Sequence, residues 1–189
     1  MQFLETLCAI DAQIEHLKYH QKRVNNTLGN DTLLLSKILN PPKKGCYRCR
    51  IVYDNKDVCI TYHPYRLHLP QSFKLVHANS LDYHFKYANR QAIDDLKQAH
   101  SAYDEILIVK NNLITDTSIA NVAFLDKDRW ISPKTPLLEG TTRMRLIEEG
   151  LLHVSDISLD AMSSYQGFAV MNAMTGFQII QNGIMSLKK

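Results

Sequence analysis

Apolar and polar positions repeat with two periods along this chain, and the changes of period mark its elements. Residues 3–10 (FLETLCAI) are a short apolar run that predicts a strand ending in a turn. Residues 11–27 place apolar side chains at Ile14 and Leu17 and polar ones from His20 to Asn26. That pattern predicts an exposed helix with Asp11 as its N-cap. Gly29-Asn30-Asp31 breaks it, and Thr32–Leu39 reads as a short apolar helix stopped by Pro41-Pro42. The period then shortens. Cys46–Tyr53, the turn signal Asp54-Asn55 and Val58–Tyr65 predict a hairpin, and Phe73–Val76 predicts a third strand beside it.

Residues 77–82 (HANSLD) read as a linker, followed by a helix over roughly Tyr87–Ala99. A meander of short strands is expected next: Glu105–Val109, Leu113-Ile114 after the Asn111-Asn112 turn, Val122–Leu125, and Trp130-Ile131 after Asp126-Lys127-Asp128. Glu139-Gly140-Thr141-Thr142 opens a helix over Arg143–Glu149 that ends at Gly150. Ser158-Leu159-Asp160 opens another short helix, and Phe168–Met171 and Gln178–Gln181 close the chain as strands. The fold class is α+β. Two lobes are expected, a small α+β lobe over 1–78 and a larger one over 79–189 with a barrel-like β meander and helices.

Composition narrows little. The 189 residues are 45% hydrophobic and 22% charged, an ordinary globular balance, and the net charge of +3 does not argue for nucleic acid. No run of about 18 apolar residues predicts a membrane span. The start MQFLETLCAIDAQIEHL lacks the basic opening and small-residue cleavage site of a signal peptide, so a cytoplasmic location is expected. Cys46 and Cys49 form a lone C-x-x-C. With no second pair to complete a metal site, they read as buried thiols of a strand, and no metal is expected. His16 and His20 stand four apart without an evident third ligand.

Three segments carry more specific information when taken in order. They are HLKYHQKRV (16–24), HFKYANRQA (84–92) and YDEILIVKNNLITDTSIANVAFLDKDRWISPKTPLLEGTTRMRL (103–146). Together they resemble the class IV, or fold-type IV, enzymes dependent on pyridoxal 5′-phosphate (PLP), with their H-x-x-R helix, lysine segment, "ITE", "AN", "TP" and "L-x-G-ITR" elements. The resemblance implies a role for each matched residue. Lys86 matches the lysine that holds PLP covalently and moves protons at the substrate α-carbon. Asp116 stands where the family has a glutamate facing the ring nitrogen, one methylene shorter. Arg23 matches the arginine on the PLP phosphate, and Thr141 and Thr142 match the turn that holds the phosphate at a helix start.

Met171-Asn172-Ala173-Met174-Thr175 matches the turn that closes over the cofactor. Its "NAM" wording is nearer the lyase "NAL" than the aminotransferase "G-T", which makes Asn172 and Met174 substrate-side candidates. Arg48, Arg50 and Arg66 are candidates for a substrate carboxylate, and strand alternation groups Arg48 with Arg50. The chain starts almost at FLET, where family members carry an earlier segment that brings aromatic residues to the substrate side. Substrate identity is therefore the least transferable item. Within the family the expectation is a 4-amino-4-deoxychorismate lyase, which eliminates pyruvate to leave 4-aminobenzoate. The alternatives are a branched-chain or D-amino-acid transaminase and a PLP-fold binding or regulatory protein without turnover. The expected partners are a small amine substrate and a second copy of the chain in a homodimer.

Overall fold

The computed structural model describes residues 1–181. The chain divides into two compact units. The first is Met1–Leu67 with Phe85–Asn89, and the second is His68–His84 with the residues from Arg90 onward.

The first unit is a four-stranded antiparallel sheet with helices on one face. Its strands are β1 (Phe3–Ile10), β2 (Gln13–Ile14), β3 (Cys46–Tyr53) and β4 (Val58–Pro64), in the order β2-β1-β3-β4. Leu7, Cys49, Ile51 and Tyr53 project from one face of β1 and β3. They bury against Val24 of α1 (Leu17–Leu28) and Leu35 of α2 (Leu35–Ile38). The backbone of residues 86–88 adds to the outer edge of β1: the Leu4 N–H donates to the Lys86 carbonyl at 2.7 Å and the Ala88 N–H to the Gln2 carbonyl at 2.9 Å. Phe3 stacks on Tyr87 there, with ring centroids 5.9 Å apart.

The second unit holds an eight-stranded mixed sheet. Its strands are β5 (Phe73–His77), β6 (Glu105–Lys110), β7 (Leu113–Thr117), β8 (Asn121–Asp126), β9 (Arg129–Pro133), β10 (His153–Ser155), β11 (Gly167–Asn172) and β12 (Gly176–Ile179). The order is β10-β9-β8-β7-β6-β5, with β11 paired to β8 and β12. β7 and β8 pair at one register position, Asp116↔Asn121, beyond which β8 takes β9 and β11 as partners. Two helices complete the unit, α3 (Gln91–Ala99) and α4 (Thr141–Glu148), with a 3-10 turn at Asp160–Ser164.

The mixed α+β fold agrees with expectation, and four details differ. Phe73–His77 does not extend the first sheet. It pairs in parallel with β6, because Phe73 joins Leu107, Phe124 and Phe168 in the core of the second unit. The helix expected from Tyr87 starts at Gln91, since residues 86–88 are committed to β1 as extended backbone. The first helix is not exposed: Tyr19, His20, Arg23 and Val24 are buried. Asp11 does not cap it. The helix begins six residues later behind His16, and the Asp11 carboxylate accepts the Gly45 N–H at 2.8 Å.

Candidate active site

In the first unit a charged cluster occupies the helix-facing side of β1. Alternation puts Phe3, Glu5, Leu7 and Ala9 on one face, so Glu5 enters an apolar layer and is fully buried. A carboxylate there needs charged partners. Arg23 supplies them from α1, with Nε at 2.6 Å from Glu5 Oε1 and Nη2 at 2.7 Å from Oε2. His20, one turn earlier, places Nδ1 at 2.7 Å from Oε2. Burial pushes the Glu5 carboxyl up, but the charge and hydrogen bonds of Arg23 and then of His20 prevail and hold it at about 2. Burial lowers His20, and the positive charges of Arg23 and Lys86 lower it further against the pull of Glu5. Lys86 is therefore within electrostatic reach of the His20–Arg23 pair. The structure brings these two sequence-identified residues, Arg23 and Lys86, into one neighbourhood.

Arg48 and Arg50 lie on the opposite face of β3, Arg48 exposed and Arg50 half-buried. Arg66 is exposed and falls beyond β4 rather than on a strand. Cys46 and Cys49 point to opposite faces of β3, half-buried and buried, so the pair is split by the sheet.

In the second unit Asp116 lies within β7, and it is 4% exposed. Its Oδ1 accepts from Asn121 Nδ2 at 2.8 Å and its Oδ2 from the Leu138 N–H at 2.9 Å. Burial is the dominant influence. It raises the carboxyl to about 7, although these two donors and the charge of Arg143 act the other way. Asn121 Nδ2 also donates to the Leu138 carbonyl at 2.8 Å, which ties β8 to the segment leading into α4. Glycine is required at 140, because a Cβ there would stand 1.8 Å from Asn121 Oδ1.

Gly140 is the N-cap of α4, and no side chain closes the first turn. Thr141 and Thr142 are both buried in that turn. Neither acts as a simple cap, and the first N–H groups of a helix have no partner within it. Arg143 follows, buried, bonded to Glu139 at 2.9 Å, to the Pro133 carbonyl at 2.8 Å and to Ser132 Oγ at 3.2 Å. At the β11–β12 turn, Asn172 Oδ1 accepts the N–H groups of Met174 and Thr175, each at 2.9 Å. The Asn172 carbonyl oxygen is thus engaged in shaping the turn that presents the half-buried Met174.

Sequence reading gave no role to Glu5, Asn121 or Arg143 in these clusters, and marked His20 only beside His16 and as the histidine of the H-x-x-R motif. Glu5 left a signal, an acid at a core-facing step of an alternating strand. Asn121 was visible only as part of the "AN" pair. Arg143 was visible only as the last residue of the "L-x-G-ITR" element.

A family model described as amino-transferase class IV matches residues 53–182. An uncharacterized protein of Haemophilus influenzae is 31% identical over 182 residues, which covers 91% of this chain and 97% of that protein. A solved structure from Haemophilus somnus 129PT, provisionally named a 4-amino-4-deoxychorismate lyase, superposes with a TM-score of 0.84 at 31% identity, covering 93% of this chain and 97% of that one. Another from Mesorhizobium loti, provisionally named an amino-acid aminotransferase, gives 0.81 at 20% identity over 95% and 98% of the two chains, a likeness of fold. Among the described residues no helix is long and apolar enough to cross a membrane.

Proposed function

This chain belongs to the class IV aminotransferase family, and on that premise we propose that it is a PLP-dependent 4-amino-4-deoxychorismate lyase, working as a cytoplasmic homodimer on a small amine substrate. The observation that carries the PLP reading is Asp116, a buried carboxylate whose hydrogen-bond donors are neutral. Such a group suits a cationic ring nitrogen, which would offset the burial that now holds its proton. The family resemblance assigns the other ends of the same cofactor to Arg23, to Lys86 and to the helix start at Thr141 and Thr142.

Bound PLP supplies an electron sink for charge developing at the substrate carbon that bears the amine. The chain's own groups do the rest. Lys86 Nζ would hold the cofactor covalently and, once free, would take the proton from the substrate carbon that bears the amine. As the C–O bond to the pyruvate moiety breaks, Lys86 returns a proton to the departing carbon. A lysine does this work as the neutral amine. Asp116 would keep the proton on the ring nitrogen, and the resemblance assigns the phosphate to Arg23 and the α4 start. Arg48 on the outer face of β3 takes a substrate carboxylate.

The lyase reading over the transaminase is supported by the Asn172–Thr175 turn and by the provisional name of the Haemophilus somnus relative. The test has two stages. Purified protein loaded with PLP and treated with borohydride is expected to carry the reduced adduct on Lys86 by peptide mass; an adduct elsewhere, or none, sinks the PLP assignment. Loaded protein is then given aminodeoxychorismate without any keto acid. Stoichiometric pyruvate and 4-aminobenzoate support the lyase. Turnover of a branched-chain amino acid only with 2-oxoglutarate replaces it with the transaminase, and labelling without turnover of either replaces it with a binding protein.

A further inference from the structure

The C-x-x-C of β3 is not a pair, but one of its members has a partner on another strand. Cys49 turns to the helix-facing side of the sheet, where it hydrogen-bonds Tyr62, and Cys46 turns to the other side. The ladder shows what Cys46 meets there. It stands opposite Ile10, at the last paired position of β1 with β3, and Arg48 stands opposite Cys8. Cys8 and Cys46 are therefore diagonal neighbours on one face, and their side chains share a hydrogen bond. Both thiols are free. The Cys8 thiol, 6% exposed, is pushed up to about 12 by burial first and by Cys46 second, so it keeps its proton and is the donor. Cys46 is half-buried and nearer to solvent. The phenol of Tyr65, whose backbone N–H donates to the Cys46 carbonyl at 2.9 Å, feels the charge of both sulfurs.

These two thiols have the parts of a reversible oxidation site. One sulfur is reachable, and the second is held against it to displace whatever the first acquires. Other sulfurs are out of reach. Cys49 lies behind the sheet, and Cys59, opposite Val52, is six residues along the strands from the Cys46 row, roughly 20 Å away. The Cα atoms of a diagonal pair stand roughly 7 Å apart, at the upper limit for a disulfide. The join can close because it falls at the end of the ladder, just after Gly45 at a φ of 97°. A disulfide made at that limit is one that dithiols readily reopen. Among the described residues no third His, Cys, Asp or Glu completes a metal site with the pair.

We propose that Cys46 is a reaction site for hydroperoxides and that Cys8 resolves it, giving a reversible Cys8–Cys46 disulfide that fastens β1 to β3. The Cys46 thiolate attacks one oxygen of hydrogen peroxide. The O–O bond breaks, Cys46 becomes a sulfenic acid, and the departing hydroxide takes up the thiol's proton as water. The Cys8 sulfur then attacks the Cys46 sulfur. The S–O bond breaks, and the second hydroxide leaves with the Cys8 proton as another water. Two thiols and one peroxide become one disulfide and two waters, and a dithiol reverses the bond. The link joins the two ends of the segment that carries β2, α1 and α2, so the oxidised chain is expected to resist urea better than the reduced one. The test treats the full chain as purified, at low concentration, with an equimolar amount of hydrogen peroxide. Thiols are then counted in denaturant, and linked peptides are mapped by mass without reductant. Wild type is expected to fall from its four free thiols to two, to yield the Cys8–Cys46 peptide, and to regain all four with dithiothreitol. Its urea midpoint should rise on oxidation and return on reduction. Cys8→Ser and Cys8→Ala are both expected to lose the link and to leave Cys46 as a sulfenic acid that dimedone traps, about tenfold more than in wild type, because nothing resolves it. Four thiols surviving in wild type, a link through Cys49 or Cys59, a link between chains, or equal trapping with and without Cys8 overturns the proposal.

Discussion

Glu5 and Asp116 are both fully buried carboxylates, and they are driven to opposite ends of the scale. Glu5 is held at about 2 and Asp116 is raised to about 7. Burial acts the same way on each. The difference lies in what donates to them. Glu5 meets a guanidinium through both oxygens and an imidazole besides, so its charge is matched inside its own unit. Asp116 meets an amide and a backbone N–H, which orient it without neutralising it, and Arg143 contributes only at a distance. One carboxylate is a finished ion pair that sets the pose of Arg23. The other is an acceptor oriented by neutral donors alone.

The contrast predicts unequal responses to substitution. Removing the cation from Glu5 should hurt most. Arg23→Met leaves a buried charge unpaired and is expected to lower stability by about 3–5 kcal/mol in urea unfolding, with Glu5→Gln in the same chain recovering part of it. A loss below about 1 kcal/mol would show that Glu5 does not depend on Arg23.

Asp116 should reveal itself through pH. Its folded value lies above the ordinary 3.8, so its contribution is fully present below that value and is lost as pH rises through about 7. The decline is on the order of 4 kcal/mol at most. Asp116→Asn is expected to flatten the thermal midpoint between pH 4 and 7, and PLP-loaded wild type should flatten it too. A decline that persists in the Asn variant assigns the titration to another group.

A smaller loss, about 1–3 kcal/mol, is expected for Gly140→Ala, because its methyl displaces Asn121 and with it one donor to Asp116. Its denaturation midpoint should fall, and the rise of the Asp116 carboxyl should become steeper as that donor is withdrawn. His20→Gln should matter least. Arg23 still matches Glu5, so about 1 kcal/mol or less is expected from the same unfolding assay.

The residues above were not equally legible beforehand. Period and turn chemistry located most strands of both units, because each strand buries a face and each hairpin needs particular residues, as Asn111 and Asn112 do at positive φ. Periodicity could not say which sheet a strand joins. Phe73–Val76 reads as a neighbour of the first hairpin, but its partner lies 32 residues on (Phe73 pairs with Glu105), beyond an intervening helix. The helix around Arg23 looked exposed because its buried polar face is justified by Glu5, a residue on another element. Lys86, Arg23 and Asp116 were found through their resemblance to family motifs, while Glu5 and Asn121, which fix the poses of two of them, act through contacts that no linear pattern displays.

The return of residues 85–89 to the edge of β1 bears on how the molecule comes into being. During synthesis the first 67 residues emerge with the Leu4 N–H and Gln2 carbonyl still wanting partners. The ribosome must make another 22 residues, including the first strand of the second unit, before that edge can close. A gene cut after Leu67 would therefore encode an unfinished sheet, and no single cut separates the two units into continuous pieces. Lys86 arrives as part of the strip that finishes the edge, so the last step in building the first unit is also the one that installs its lysine.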